Sequence, residues 1–262
     1  MKRLKNEKKK DLGPSHVINE ATNFDTIETY KSIRTNIMFS MPKSEEGKRI
    51  AITSAAPSEG KTTSAINLAI TFAQMGTKVA LLDCDLRKAR VHRYLEIERK
   101  NGISDVLCGF IPLEQAIKAN VRPNMDVLTA GEIPPNPAEL LASDAFAQML
   151  ATLGEAYDYV FIDTPPVSVV TDSAIIMKHC SGVTVVVRQN VTSYDLLDVT
   201  MEDIAKTGAK NLGVIMLNTD VKRKKYGYYK KGKYGYKYKY KYKYGYRYGE
   251  HYGDQPGEEE NE

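Results

Sequence analysis

Residues 49–63 constrain the fold more than any other stretch of this 262-residue chain. A short apolar run, RIAITS, ends in the loop SAAPSEGKTT, and helical periodicity follows over residues 62–74, stopping near Gly76. A strand that passes through Gly-Lys-Thr straight into a helix is half of a strand–helix–strand unit, so the next strand must run parallel to the first. Further apolar runs meet that demand: 78–83 (KVALLD), 126–129 (DVLT), 159–163 (YVFID), 183–187 (VTVVV) and 213–217 (GVIML). Helical stretches at 137–153 and 196–207 lie between them, and residues 25–39 place Ile27, Tyr30, Ile33, Ile37 and Met38 at helical spacing. Strands that are apolar on both faces need helices on both sides. The expectation is an α/β domain built on a doubly wound, mainly parallel sheet, with ligands at the carboxyl ends of its strands.

Each chemistry-bearing motif falls at such an end. In the loop after the first strand, successive backbone N–H groups and the helix N-terminus can surround phosphate oxygens. Pro57, Ser58, Glu59, Gly60, Lys61, Thr62 and Thr63 make up this cradle, although Ala55 stands where the first loop glycine is usual. Gly60 lets the backbone approach, Lys61 neutralises the outer phosphates of ATP, and the Thr62 hydroxyl is placed to ligate Mg²⁺. The strand KVALLD continues into Asp83-Cys-Asp85-Leu-Arg87. Carboxylates two residues apart in an extended chain share a side, so Asp83 and Asp85 can shape a magnesium shell or accept a proton, while Cys84 faces packing. YVFID ends in Asp163 before two prolines, the arrangement in which a carboxylate holds Mg²⁺ through water. The expected metal set is Thr62, Asp85 and Asp163. Asp83 is expected to accept the substrate proton, with the roles of Asp83 and Asp85 open to exchange, and Arg87 to steady the site electrostatically.

The net charge of +4 hides opposite segments. Residues 1–20 carry six Lys/Arg and three Asp/Glu, residues 21–220 carry 19 and 24, residues 221–253 carry twelve and one, and the last nine residues add five acids. The chain reads as a basic mobile arm (1–20), one mildly acidic domain (21–220) and a disordered tail (221–262) with an acidic end. Three cysteines without close pairing read as reduced thiols in a cytoplasmic protein. No apolar run approaches the ~20 residues needed to span a bilayer.

The tail holds twelve of the 17 tyrosines: Tyr226, Tyr228, Tyr229, Tyr234, Tyr236, Tyr238, Tyr240, Tyr242, Tyr244, Tyr246, Tyr248 and Tyr252. Over residues 226–252 no large aliphatic side chain is present, so this segment builds no core. Alternating Lys and Tyr can bind nucleic acid or an anionic membrane, or the tyrosines can be phosphoacceptors. Beside a nucleotide site the third reading dominates, and no nucleic-acid partner is expected. Each phosphate adds about −1.5 to −2, so roughly six to eight would cancel the tail's charge and release it from the ATP phosphates. A flexible stretch of this length spans about 30 Å, enough to reach its own site or a neighbour's.

Taken together, the 54–63 loop, LLDCDLR and FIDTPP resemble the three Walker motifs of bacterial tyrosine kinases, in particular the free-standing CpsD/CapB type of capsule and exopolysaccharide systems. The resemblance covers about residues 20–253. The related MinD/ParA ATPases carry a signature lysine where this chain has Ala56, which favours the kinase branch. The resemblance implies autophosphorylation of the tyrosine cluster between subunits of a ring. It also implies a membrane-bound activator that recruits the chain to the inner face of the membrane, a cognate phosphotyrosine phosphatase, and nucleobase contact by Asn218. Glu28, Lys31 and Arg34 match the family's oligomerisation helix, with Lys31 in place of an arginine whose bidentate fork it cannot reproduce. The competing reading is a non-kinase ATPase of the ParA/MinD class that uses the tail as an anchor.

Overall fold

The computed structural model describes residues 14–41 and 47–219. Seven strands form one sheet: β1 (Lys48–Ser54), β2 (Val79–Asp83), β3 (Ile117–Arg122), β4 (Met125–Leu128), β5 (Tyr159–Asp163), β6 (Gly182–Arg188) and β7 (Asn211–Leu217). The α-helices among the described residues are α1 (Phe24–Ser40), α2 (Lys61–Ala73), α3 (Val91–Leu95), α4 (Ile103–Leu107), α5 (Leu113–Ala116), α6 (Pro137–Leu141), α7 (Asp144–Ala156), α8 (Asp172–Met177) and α9 (Tyr194–Lys206). The strand order is β3-β4-β2-β5-β1-β6-β7, parallel throughout except for the β3–β4 pair. This is the expected doubly wound α/β sheet with an antiparallel edge strand added.

The order of strands assembles the site. β5 lies between β1 and β2, with Ile52 of β1 opposite Asp163 and Asp83 of β2 also opposite Asp163. Neighbouring strands are about 4.8 Å apart, so three motifs from distant parts of the chain end side by side on one rim.

Two apolar layers cover the faces of the sheet. On one, α2 is buried along its whole length, because α1 covers the side that the sheet does not. Its sequence, KTTSAINLAITFA, is small or apolar all round, as a helix with no solvent face must be. Tyr30 and Ile37 are the buried residues of α1. On the other face, Phe146, Leu150 and Leu153 of α7 pack with Leu82, Cys84 and Ile162. Cys84 therefore points into packing, opposite to its two flanking aspartates.

Two local expectations need correction, and one strand was not foreseen. The helix read over 137–153 is two helices, because the Ser143 hydroxyl accepts from Phe146 N–H at 3.3 Å and donates to the Leu140 carbonyl at 2.7 Å, ending one helix and capping the next. β3 carries no apolar signal, since IKANVR is half-buried or exposed, and pairing with β4 alone makes it a strand. The basic arm read over 1–20 is shorter at its inner end. Val17 and Ile18 are buried, and the Asn67 amide of α2 accepts from Ile18 N–H (2.8 Å) and donates to the His16 carbonyl (3.0 Å). The tail read over 221–262, with its twelve tyrosines, lies outside the described residues. Among the described residues no helix is long and apolar enough to cross a membrane.

Candidate active site

The loop from β1 to α2 adopts the backbone that its sequence requires. Gly60 caps α2 with φ 95°, a left-handed geometry that glycine takes without strain, and Ser58 holds φ 65° despite its side chain. The loop is braced from within. Glu59, fully buried, accepts from Ala56 N–H at 2.8 Å and from the Thr192 hydroxyl in the β6–α9 connection. The Glu59 carboxylate is thus a strut behind the loop, separate from the backbone N–H by which Glu59 is expected to join the phosphate cradle. The Thr63 hydroxyl is buried without a hydrogen-bond partner in the protein, available to an acceptor such as a phosphate oxygen.

Above the rim of β1, β5 and β2, Lys61 and the motif carboxylates converge. Lys61 Nζ lies 3.0 Å from Asp85 Oδ2 and 3.4 Å from Asp163 Oδ1, and Thr62 Oγ1 donates to Asp163 Oδ2 at 2.7 Å. Burial alone would lower the Lys61 pKa, but Asp163 and Asp85 outweigh it and raise the value. Asp163 is itself raised by burial, which Lys61 and Thr62 only partly offset. Asp83 is fully buried. Its Oδ2 accepts from Arg90 N–H (3.0 Å) and Val91 N–H (2.9 Å), while its Oδ1 has no partner. Burial, with the nearby Asp163, pushes its carboxyl up to about 7, the pull of Lys61 notwithstanding.

The cleft beside this cluster is lined by Pro57, Ser58, Gly60, Lys61, Thr62 and Thr63 on the loop side. Asp85, Arg87, Lys88, Arg90, Tyr94, Pro165, Pro166, Val169 and Val170 line the rest. Asp85 thus opens on the cleft and Asp83 lies beneath it. Asn218 is exposed at the end of the edge strand β7 and does not line this cleft. Arg87 is held by Asp172, a fully buried carboxylate at the start of α8, through bonds of 2.8 and 3.1 Å. Asp172 carries no local signal in the sequence and was not anticipated. Of the residues expected at an interface, Glu28 and Lys31 pair with each other at 2.8 Å, both half-exposed. Arg34 turns inward and donates to the Thr71 carbonyl at 2.6 Å. That carbonyl is an orphan of the α2 C-terminus, since Met75 N–H bonds to Phe72 instead.

The donor set suits Mg²⁺. A hydroxyl and carboxylates are the hard oxygen ligands it prefers, and buried acids facing a single ammonium leave room for more positive charge. Among the described residues no three His, Cys, Asp or Glu side chains surround one metal position. Such sites hold Mg²⁺ through one or two carboxylates and substrate phosphates.

Comparison with known proteins agrees with this geometry. Residues 47–213 match the AAA domain family. The chain is 42% identical over 203 residues to the tyrosine-protein kinase YwqD of Bacillus subtilis, covering 77% of this chain and 85% of that one. It is 34% identical over 211 residues to the tyrosine-protein kinase CpsD of Streptococcus agalactiae, covering 80% and 90%. Among solved structures, the kinase domain of the Escherichia coli tyrosine kinase ETK superposes with a TM-score of 0.74 at 31% identity, over 90% of this chain and 89% of that one. With an AAA-type phosphate loop and two aspartate-ended strands in register beside it, the chain belongs to the family of bacterial tyrosine-protein kinases.

Proposed function

We propose that the chain transfers the γ-phosphoryl group of ATP to tyrosines of its own C-terminal cluster, Tyr226 to Tyr252. The observation that carries this is the convergence of Lys61, Asp83, Asp85 and Asp163 on one rim of a chain that also carries twelve clustered tyrosines. The loop amides and Lys61 bind the phosphates. Asp85, Asp163 and Thr62 would hold Mg²⁺, which when bound offsets phosphate charge. A carboxyl poised near neutrality suits proton acceptance, so Asp83 takes the phenol proton as transfer proceeds. Asp85, which opens on the cleft, is the alternative acceptor. Arg87 acts at the cleft wall, oriented by Asp172, and Asn218 serves the nucleobase from outside the cleft described.

The remaining roles follow the family reading. Transfer occurs between subunits of a ring assembled through the α1 face that bears Glu28 and Lys31, with Arg34 bracing that helix against α2 from within. A membrane-bound activator brings the chain to the inner membrane face, a phosphatase resets the tail, and the output is control of capsule or exopolysaccharide synthesis and export. Incubation of the purified chain with Mg·ATP should give phosphotyrosine, raised by the activator's cytosolic segment and abolished by Lys61→Met. Undiminished labelling of the variant would refute the assignment. Mixing a Lys61→Met chain with an active chain truncated after Asp220 tests the route, since only transfer between subunits labels the Lys61→Met tail.

A further inference from the structure

The catalytic cleft is ionic on one side and apolar on another. Lys61 faces Asp85 and Asp163 at its base. The connection from β5 to α8 lines a second wall with Pro165, Pro166, Val169 and Val170. Val169 is 56% exposed, whereas Val167, two residues earlier, is buried with Met177 of α8 and Val185 of β6. The exposed isopropyl group of Val169 contributes no burial to the fold, so its apolar surface is open to a ligand.

This wall is held in place from several sides. Its two prolines end β5 and fix their own φ angles. The Pro165 carbonyl accepts from the Thr53 hydroxyl of β1 at 2.9 Å and from the Ser173 hydroxyl of α8 at 2.6 Å. Val167 N–H donates to the Ser54 carbonyl at 3.2 Å, and Val169 N–H closes a turn onto the Pro166 carbonyl at 3.1 Å. Within that turn the Ser168 hydroxyl donates to the Ala55 carbonyl at the start of the phosphate loop. The apolar wall is therefore tied to the loop assigned to the nucleotide phosphates, and the spacing between the two is set by the fold.

Two rings of the reaction could lie on such a surface, the adenine of ATP and the phenol of the acceptor. Ribose and two phosphates separate adenine from the γ-phosphorus, whereas the phenol oxygen must meet it. Lys61 and Asp85, which mark the position of the outer phosphate, border the same cleft as Val169 and Val170. We propose, resting on the kinase reading above, that Val169 and Val170, backed by Pro165 and Pro166, seat the ring of the acceptor tyrosine. Val169 is then a specificity-determining residue that favours tyrosine over serine and threonine. A phenol laid on this wall buries apolar surface and carries its hydroxyl toward Asp85. A serine or threonine side chain has no ring to bury and is too short to span the wall.

Peptide binding to the full-length chain in Mg·ADP tests the seat without turnover. The probes are two fluorescent peptides copying residues 240–256, one with every tyrosine replaced by phenylalanine and one with every tyrosine replaced by serine. The phenylalanine peptide should bind several-fold more tightly than the serine peptide. Val169→Thr keeps the shape of the side chain and replaces a methyl by a hydroxyl. It should weaken the phenylalanine peptide by about three- to fivefold, the effect of about one methyl group, and leave the affinity for Mg·ADP unchanged. Val169→Ile should bind both ligands as the parent chain does. An unchanged melting temperature in each variant checks that the fold is intact, as the exposure of Val169 requires. Equal binding of the two peptides, undiminished binding by Val169→Thr, or a loss that falls on Mg·ADP overturns the seat and leaves the kinase reading standing. Absence of phosphotyrosine from the full-length chain in Mg·ATP overturns the kinase reading and the seat with it.

Discussion

Replacing Asp83 by Asn should abolish catalysis and stabilise the fold. Asp83 Oδ2 accepts two backbone N–H bonds, which an amide oxygen can keep, and the unpartnered Oδ1 would become an NH₂ group amid carboxylates. A carboxyl with an ordinary value of 3.8 that the fold holds up at about 7 resists ionisation by about 4 kcal/mol above that pH. Asp83 interacts strongly with Asp163, so about half of this, about 2 kcal/mol, is the expected gain. The sign follows from the folded value lying above the unfolded one. Between pH 4 and 7 the fold holds a proton that the unfolded chain has lost, so stability falls as pH rises through about that window and is fully penalised beyond it. The variant escapes this fall. Urea unfolding of both chains at several pH values should show little difference near pH 4 and a gap of about 2 kcal/mol at pH 8, equivalent to about 4–8 °C in melting temperature. Phosphotyrosine should be lost at every pH. A gap that does not depend on pH, or a variant less stable at pH 8, would show that the Asp83 charge is compensated in a way that its buried surroundings do not indicate.

Lys61→Met should do more than remove a phosphate contact. It leaves Asp85 and Asp163 without their ammonium, a loss of about 3–5 kcal/mol that calorimetry should find smaller in mild acid, where these acids take up protons. The Arg87–Asp172 pair should respond asymmetrically in denaturant unfolding. Arg87→Gln strands a buried carboxylate and costs about 3 kcal/mol, whereas Asp172→Asn frees a half-exposed guanidinium and costs about 1 kcal/mol. Equal losses would contradict the burial difference. Thr192→Val removes a partner from buried Glu59 and should cost about 1–3 kcal/mol, with a raised KM for ATP, because the strut holds the phosphate loop from the far side of β6.

What could be read before the structure was whatever is written locally. Apolar runs ending in Asp83 and Asp163, and the Gly60-Lys61-Thr62 turn, declare strand ends and a helix start within a few residues, and their convergence follows from parallel topology. The strut from Glu59 to Thr192 joins residues 133 positions apart, and Arg87 meets Asp172 across 85. No periodicity encodes either pairing. β3 was missed for the opposite reason: IKANVR has no pattern of its own, and its partner strand makes it a strand. Arg34 was read from its helix face alone, and only the packed α1–α2 pair shows the carbonyl that it serves.

The bond from Arg34 to Thr71 and the Asn67 clamp on His16 and Ile18 bear on where this enzyme can be divided. The AAA match begins at residue 47, yet the helix that carries the phosphate loop is completed by residues that precede it. Excising the chain at Gly47 would strip Val17, Ile18, Tyr30 and Ile37 from the apolar layer over α2 and strand the Asn67 amide and the Thr71 carbonyl. The nucleotide module is therefore not transplantable at its family boundary, and the smallest portable unit includes the N-terminal segment from about residue 14.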